Sequence, residues 1–562
     1  MPSHIVRVAA QNLASSILDT NDLSTSRGGS LALLRAVEAL DARLSALHPS
    51  YRRISGGASE LLGLLDVVDG QEPAVEEQVR QALAGPVDPA AAPDLVGRDF
   101  TFAVTVLPIK GGFAAAAAQA EARIRVDQYR TLSFVLPPGE PGMGRPCEID
   151  RTRPAVEMDA GDKVSRFVVA RRHYGRKARQ GFYATELARD PAGDAARAGL
   201  AVRNLEFSNS LSDLTAHKVG DIELPPALSG KIAIVHLDGN AFQKRRNTLM
   251  SIPKKGEEEK GAAAVAAFSA FVRTRQTRLL AHLLDWALDA RRTHMVRPPT
   301  PDDQQARLRF ETLLWGGDEM VFAVPVWAAW DLVLEIEDEL RAWTLPDDGP
   351  FGGLKAEERR LTHAIGLAFV NHKAPIRQSR RLADDLCSDA KDADKTRTVV
   401  SAFAAETVEL PRGDLDTVRK QLLLNGAPGD APLAFAQPGS ERPFRIATEW
   451  FTRLKGSLDR SQAMKLALAA RQRAGGLPAA DAGAGENPWP DWAVAEIRRV
   501  VRGAKHADVA IAVLGLGETR AGLPFAVPRD GTVHKVLPLM MALHLWDYVQ
   551  PLGPNCHDGA AP

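Results

Sequence analysis

Two adjacent acids follow two glycines in the segment Gly316-Gly317-Asp318-Glu319, and apolar residues flank these four positions on both sides. The flanking residues, Leu-Leu-Trp before and Met-Val-Phe-Ala-Val after, favour β-strands, and the Gly-Gly pair favours a tight turn between them. The pattern predicts a β-hairpin whose tip carries two carboxylates. Carboxylates held together in this way bind divalent metal ions and, through the metal, nucleotide phosphates.

A third carboxylate follows an earlier strand. The apolar run 231–237 (KIAIVHL) leads into Asp238-Gly239, where glycine favours a turn, so we expect the Asp238 carboxylate at the end of this strand. Two or three carboxylates converging there would bind Mg²⁺ or Mn²⁺, and two such ions would stabilise the attacking and leaving oxygens of a phosphoryl transfer. The alternative is an ordinary Asp-Gly turn together with a surface hairpin that exposes its acids.

The elements around these motifs alternate in the order of a palm domain. From residue 231 to 391 the patterns predict β-α-β-β-α-β-α, with a long helix at about 260–292, a strand at 361–370 and a helix at 376–391. This order is typical of the ferredoxin-like arrangement, an antiparallel sheet with helices on one face. In that topology the first strand lies beside the hairpin, so the strand end and the hairpin tip meet.

The segment 231–391 resembles the palm domain shared by GGDEF nucleotide cyclases and the large polymerase-cyclase subunit of type III CRISPR effector complexes. The resemblance lies in the motifs LDGNAF, WGGDEMVFAVP and THAIGLAFVNHKAPIRQSRRLADDLCSDAKD. It implies catalytic, metal-binding roles for Asp238, Asp318 and Glu319, with two Mg²⁺ or Mn²⁺ ions expected. It also implies that the nucleotide is bound by Gly239, Asn240, Phe242, Gly316, Gly317 and Lys391, of which Lys391 contacts the triphosphate.

The chain departs from the family pattern in the first metal motif. Asn240 stands where the family usually has a further acid, so this motif supplies one carboxylate, that of Asp238. The basic run Lys244-Arg245-Arg246, directly after the motif, could bind phosphates of a nucleotide or a product. Its alternative interpretation is a solvated basic stretch.

An acid-free version of the hairpin motif occurs near the N-terminus. The segment YRRISGGASELLGLLDV contains Gly56-Gly57-Ala58-Ser59, and a predicted strand at 100–107 and helix at 113–130 follow it. By the same resemblance, this region is a degenerate palm that faces the active palm and helps to hold a second nucleotide, with Arg27 and Ser59 as contributors. A Gly-rich hairpin turn without that role is the alternative.

Composition limits the classes of function. The 562 residues contain 70 Lys plus Arg and 70 Asp plus Glu, so any polyanion must bind to a local patch rather than to a global positive field. The three cysteines exclude a disulfide scaffold and an all-cysteine zinc site, and we expect no zinc. The chain has neither a recognisable signal peptide nor an apolar run of ~20 residues, which predicts a cytoplasmic protein without a membrane partner.

These observations predict an α+β fold with two ferredoxin-like palm domains, the N-terminal one degenerate and the central one active. The predicted boundaries are 1–140 for the degenerate palm, 141–228 for a small inter-palm domain and 229–405 for the active palm. A mainly helical C-terminal domain is expected at 406–562, and within it the run 508–514 (DVAIAVL) predicts a strand.

The leading functional hypothesis is a metal-dependent nucleotidyltransferase that makes cyclic or linear oligonucleotide second messengers from ATP in antiviral defence. ATP or another NTP is the expected substrate, and guide or target RNA and other effector subunits are possible partners. The first alternative is a scaffold or RNA-binding subunit of an effector ribonucleoprotein with a weak or silent cyclase. The second alternative is a diguanylate cyclase, which the paired palms disfavour.

Overall fold

The computed structural model of the protein describes residues 3–549 with several gaps. The residues left out within that range are 12, 14–16, 18, 89–91, 131–143, 203–204, 253–257, 290–292, 300, 302–303, 406–433, 438, 475–489, 517–523 and 525–536. None of the described helices combines the length and apolar character needed to cross a membrane.

The N-terminal part is built on a four-stranded antiparallel sheet. Its strands and the adjoining small hairpin are β1 (His4–Ala10), β2 (Arg52–Gly56), β3 (Glu60–Leu65), β4 (Pro86–Asp88), β5 (Ala92–Val96) and β6 (Phe102–Pro108). The helices are α1 (Leu23–Leu47), α2 (Glu72–Ala84) and α3 (Phe113–Arg130). The sheet order β2-β3-β1-β6 places the second, third, first and last strands side by side, which is the ferredoxin-like order expected for a palm.

The segment between the two palms contains one long helix and several short elements. These elements are β7 (Glu157–Asp159), β8 (Asp162–Val164), α4 (Arg166–Leu187), α5 (Asp194–Val202), β9 (Glu206–Phe207), β10 (Lys218–Val219) and β11 (Ile222–Glu223). The helix α4 begins at a serine cap, because the Ser165 hydroxyl accepts a hydrogen bond from the Val168 amide at 3.3 Å. It packs along α1 of the N-terminal palm.

The central part contains a six-stranded sheet. The helices and strands of this central part are β12 (Lys231–Gly239), α6 (Phe242–Ser251), α7 (Glu258–Leu288), β13 (Val296–Arg297), β14 (Arg307–Leu308), β15 (Glu311–Gly316), β16 (Glu319–Pro325), α8 (Ala329–Leu340), α9 (Ala356–Arg359), β17 (His363–Asn371), α10 (Ile376–Ala393), β18 (Val399–Ala404) and β19 (Ala434–Phe435). The sheet order is β15-β16-β12-β17-β18-β19. Its first four strands again follow the ferredoxin-like order, so the predicted α+β class and the paired palm topologies are confirmed.

The middle strand of this sheet explains why the site forms where it does. The side chains from Ile232 to Val235 are completely buried, which is typical of a strand covered on both faces. Both neighbouring strands, β16 and β17, run antiparallel to β12. The end of β12 therefore lies beside the β15–β16 turn, as the topology predicted.

The C-terminal part is helical where the structure describes it. Its helices are α11 (Pro443–Ser457), α12 (Arg460–Ala474), α13 (Pro490–Val500), α14 (Ala504–Val513) and α15 (Leu537–Leu545). The predicted strand at 508–514 is wrong, because α14 covers almost all of that run. Ala507, Ala510 and Ile511 are buried at helical spacing, and α14 packs against α11 and α13, so helix packing overrides the local β-propensity.

Candidate active site

The GGDE segment forms the tip of a β-hairpin, as predicted. Gly316 ends β15, Glu319 begins β16, and Gly317 and Asp318 form the turn between them. Gly317 has a φ of 61°, in the left-handed region that a glycine enters without steric cost. From α7, the side chain of Gln276 donates a hydrogen bond to the Gly317 carbonyl, which fixes the turn against the long helix.

The end of β12 meets this turn directly. Asp238 pairs with Glu319 in the antiparallel register, and the Gly239 amide donates a hydrogen bond to the Asp318 carbonyl at 3.1 Å. A Cβ atom on residue 239 would lie 2.7 Å from the Asp318 Cβ, so glycine is needed at position 239 for this approach. The structure thus brings together the three acids predicted from the sequence.

The Asp318 carboxyl has an unusual electrostatic environment. Burial raises its pKa, and the neighbouring Asp238 carboxylate raises it further, to about 6. On the other side, Lys391 at the end of α10 forms an ion pair with Asp238. Negative charge therefore accumulates at this point of the structure, and a lysine ammonium offsets part of it.

The Glu319 carboxyl is oriented differently from Asp318. Its Oε1 lies 3.2 Å from Nε2 of His236, a nearly buried side chain two residues before Asp238 on β12. Burial opposes ionisation of Glu319, but the interaction with His236 and the positive charges of Arg380 and Lys391 together lower the pKa of this carboxyl. Glu319 is 47% exposed, so we expect an anionic side chain that remains accessible to solvent or ligand.

A cavity of about 430 Å³ lies between the two hairpin tips. The GGAS segment, residues 56–59, forms one wall, and Gly316, Gly317, Asp318 and Glu319 form another. A Cβ atom on Gly316 would lie 2.2 Å from the Ala58 Cβ, so the two tips are in direct contact. This volume falls within the range of small-molecule sites in proteins.

Several polar residues that no sequence motif indicates also line this cavity. They come from α7 and α10 and are Arg273, Gln276 and Arg380. Burial lowers the pKa of Arg380 to about 10, while Glu319 and Asp384 act in the opposite direction. No local motif marks these residues, because they reach the cavity only through the packing of separate elements.

The three residues of the basic run 244–246 have different surroundings in the structure. Arg246 lines the cavity, whereas Arg245 donates a hydrogen bond to the Arg360 carbonyl at 2.7 Å. Lys244 is exposed and does not belong to the cavity lining. The run predicted to contact phosphate therefore contributes one guanidinium to the described cavity.

The remaining predicted nucleotide-binding residues lie in two places. Phe242 lines the cavity and packs edge-on against His363, with 5.2 Å between the ring centroids. Asn240 is buried and directed away from the cavity, since its side-chain amide donates to Thr362 Oγ1 at 3.1 Å and to the Arg397 carbonyl at 3.2 Å. Asn240 therefore fixes the start of β17 and the loop before β18, and a role in nucleotide binding stays a prediction.

The two residues suggested for the degenerate palm also separate. Ser59 lines the cavity. Arg27 does not, because it is 2% exposed and forms a bidentate ion pair with Glu311, which is 1% exposed. The expectation that Arg27 contacts a nucleotide is therefore wrong. The positive charge of Arg27 is neutralised by Glu311 in the protein interior.

The site residues fit a hard divalent cation. The raised pKa of Asp318 and the pairing of Asp238 with Lys391 both mark excess negative charge that such a cation would neutralise. Among the described residues, three side chains whose possible metal-ligand atoms all lie close together are His4, Asp69 and Glu72. This group lies at the start of β1, the end of that strand away from the cavity. Water and substrate phosphates would thus complete the coordination at Asp238 and Asp318, which is usual for Mg²⁺.

No family model and no curated protein matches this chain. The chain is similar to solved structures of Csm1, a subunit of type III CRISPR complexes. Csm1 of T. onnurineus has 12% identity and a TM-score of 0.49, covering 97% of this chain and 70% of that one. The apo Csm1-Csm4 cassette has 10% identity and a TM-score of 0.48, covering 98% and 70%. The Csm1-Csm4 subcomplex of the type III-A interference complex has 11% identity and a TM-score of 0.46, covering 96% and 70%.

Proposed function

We propose that this chain is a metal-dependent nucleotidyltransferase that joins nucleoside triphosphates, ATP foremost, into cyclic or linear oligonucleotides. The observation that carries the proposal is the convergence of Asp238 with Asp318, a residue that lines the cavity between the palms and whose pKa burial and Asp238 raise to about 6. Perturbed carboxyls in a cleft of this size are typical of functional sites. The choice of ATP rests on the resemblance of the palm motifs.

The roles of the acids follow from their geometry. Asp238 and Asp318 would hold Mg²⁺ or Mn²⁺, which supplies the positive charge that activates a ribose hydroxyl and neutralises the triphosphate. Glu319 extends the anionic surface, and His236, Arg380 and Lys391 together lower the pKa of its carboxyl. Gly239 allows the end of β12 to approach Asp318 closely, and Gly317 takes the left-handed conformation of the turn, so both glycines bring the two acidic segments together.

The cationic residues would bind the substrate phosphates. Lys391 lies beside Asp238 and could move its ammonium onto a phosphate oxygen once the metal takes over the charge of that carboxylate. Arg246 and Arg380 present guanidinium groups to the cavity, where bidentate contacts to phosphate are favourable. Their arrangement would hold the reacting groups in place rather than form a covalent intermediate.

The GGAS tip would support the second nucleotide. The four GGAS residues carry no carboxylate, and Glu60 directly after them is the one acid on this side of the described cavity lining, so the wall opposite the GGDE acids carries less negative charge. Ser59 offers a hydroxyl that can donate to a phosphate or a ribose. Transfer of a nucleotidyl group between two substrates requires two such neighbouring positions.

Product analysis with labelled nucleotides tests this function. Purified protein is incubated with each NTP and Mg²⁺ or Mn²⁺, in the presence and absence of RNA, and the products are separated by chromatography. We expect oligonucleotides from ATP with wild-type protein and none with Asp318→Ala/Glu319→Ala. Wild-type protein that forms no product from any NTP under all of these conditions would exclude the proposal and favour a scaffold role.

A further inference from the structure

The outer strand of the GGDE hairpin lies at the edge of its sheet. Among the described strands of the central sheet, β15 is the edge strand and pairs only with β16. The register between them shifts between Thr312 and Leu314, so a β-bulge interrupts the ladder a few residues before the GGDE tip. An edge strand has a row of backbone N–H and C=O groups outside the ladder, and a bulge disrupts the ladder on its paired side, so contacts from side chains of other elements can add to its positioning.

Tyr183 of α4 provides this support at the bulge. Its hydroxyl donates a hydrogen bond to Thr312 Oγ1 at 2.9 Å and accepts one from the Thr312 amide at 3.1 Å. The ring is 2% exposed and stacks on Phe207, with centroids 4.1 Å apart and an interplanar angle of 11°. The tyrosine thus takes the place of a neighbouring strand for one residue of β15.

One turn further along α4, Glu186 binds the end of the same strand. The Trp315 indole donates to Glu186 Oε2 at 2.9 Å, and Arg273 of α7 donates to Glu186 Oε1 at 2.9 Å. Glu186 is 1% exposed, and Arg273 is among the residues that line the cavity. A single buried carboxylate therefore fixes both the residue before the GGDE tip and a guanidinium of the cavity wall.

Arg27 of α1 completes this set of contacts at the start of β15. Its guanidinium binds Glu311 through two hydrogen bonds and also donates to the Gly175 carbonyl of α4 at 3.2 Å. Three buried polar interactions thus connect β15 to α1 and α4, at positions 311, 312 and 315. None of these three strand residues is among the predicted metal-binding or nucleotide-binding residues.

We propose that Tyr183 and Glu186 are positioning residues for the catalytic hairpin. They set the depth and register of β15, and through it the distance between the Asp318 and Asp238 carboxylates. This inference rests on the proposed function, because the hairpin must be held in place for the transfer reaction. It assigns the helix between the palms, which carries no catalytic motif, the role of controlling the geometry of the active site.

Amide exchange in the ligand-free protein tests the positioning role independently of activity. In Tyr183→Phe, which removes only the hydroxyl, we expect exchange in the 311–316 segment to become at least about fivefold faster, because both buried hydrogen bonds of this hydroxyl to Thr312 are lost. Tyr51→Phe is the matched control, because the Tyr51 hydroxyl donates to Asp41 at 2.8 Å within the N-terminal palm. It should leave exchange in 311–316 unchanged.

Kinetics provide the second measurement. Glu186→Gln and Tyr183→Phe should lower kcat about tenfold or more while KM for the nucleotide changes less than threefold, since misplaced carboxylates affect the transfer step most. Thr312→Val removes the Oγ1 partner instead of the tyrosine but keeps the amide bond to Tyr183, so it should reproduce part of the effect if Tyr183→Phe does not fold.

The possible outcomes separate this inference from the function itself. If wild type is active but both α4 variants and Thr312→Val keep normal exchange in 311–316 and normal kcat, the positioning role is wrong and the proposed function stands. If wild type forms no product, the proposed function fails. The exchange data would then show only that α4 holds β15 in place, without a role in catalysis. A uniform rise in exchange across all variants, Tyr51→Phe included, would also overturn the positioning role.

Discussion

Gly316 and Ala58 touch at the tips of two hairpins that lie in different palms. A Cβ atom on Gly316 would be 2.2 Å from the Ala58 Cβ and 2.9 Å from the Ala58 amide nitrogen. Side-chain carbons do not approach each other so closely, so this contact depends on glycine at position 316. The contact fixes the separation of the GGDE tip from its acid-free counterpart and with it the width of the cavity.

Replacing Gly316 with alanine should separate the tips. We expect Gly316→Ala to lower the free energy of unfolding by about 1–3 kcal/mol, the usual cost of overpacking, and to reduce nucleotidyl transfer. Adding Ala58→Gly removes the closest of the contacts and should restore part of both losses. Denaturant unfolding and product formation measure these effects. Gly181→Ala, at an exposed helical position with open space around it, is the control and should not be destabilised.

The charge cluster at Asp318 should make divalent metal stabilising. At pH 8 without metal, Asp318→Asn removes repulsion with Asp238 and should raise Tm above that of wild type. Adding Mg²⁺ or Mn²⁺ should raise the wild-type Tm by about 2 °C or more and the variant Tm by much less. Equal responses of the two proteins to metal would argue against a metal site at these carboxylates.

Arg246 should contribute to substrate binding, whereas its neighbour Lys244 should not. Arg246→Ala removes a guanidinium from the cavity lining, and we expect KM for the nucleotide to rise about tenfold or more. Lys244→Ala removes one positive charge from the same helix at an exposed position outside the lining, and KM should change less than twofold. A similar effect of both variants would indicate general attraction by positive charge instead of a specific contact.

Glu337 should give the protein a measurable loss of stability with rising pH. This carboxyl is 1% exposed and accepts hydrogen bonds from the Phe444 and Arg445 amides at the start of α11. Burial raises its pKa to about 6, although these amides act in the opposite direction. Because the folded state binds the proton more tightly than the unfolded state, stability should fall as pH rises from about 4.5 through 6.

The variant Glu337→Gln should lack this dependence. Relative to wild type, its free energy of unfolding should be similar below pH 4.5 and higher by up to about 2 kcal/mol above pH 7. Urea unfolding across this pH range measures the difference. Glu339→Gln, on the same helix, controls for the loss of one negative charge, and a constant offset for Glu337→Gln at all pH values would contradict the account.

The parts of the fold that sequence predicts well are those encoded by local periodicity and turn chemistry. The strand ending in Asp238, the GGDE hairpin and the helix that carries Lys391 all form as expected. The order of these elements then leaves few topologies, because short right-handed connections restrict the strand order. The convergence of Asp238 with Asp318 follows from that order rather than from either motif alone.

The failures have a different physical origin. The run 508–514 has strand-forming residues, but its alanines suit close packing between helices, and tertiary contacts decide the outcome. Arg27 binds Glu311, which lies far away in the sequence, so no local pattern indicates that its charge is already compensated. Arg380 reaches the cavity from α10 for the same reason.

Pyrophosphate release tests the central claim most directly, because every nucleotidyl transfer from a triphosphate must produce it. The assay compares wild type with Asp238→Asn/Asp318→Asn in Mg²⁺ or Mn²⁺ with ATP, with and without RNA. We predict metal-dependent release by wild type and a loss of at least about 100-fold in the double variant, whose fold should be retained. Release at the same rate from both proteins would contradict the assignment of these two carboxylates as the catalytic metal ligands.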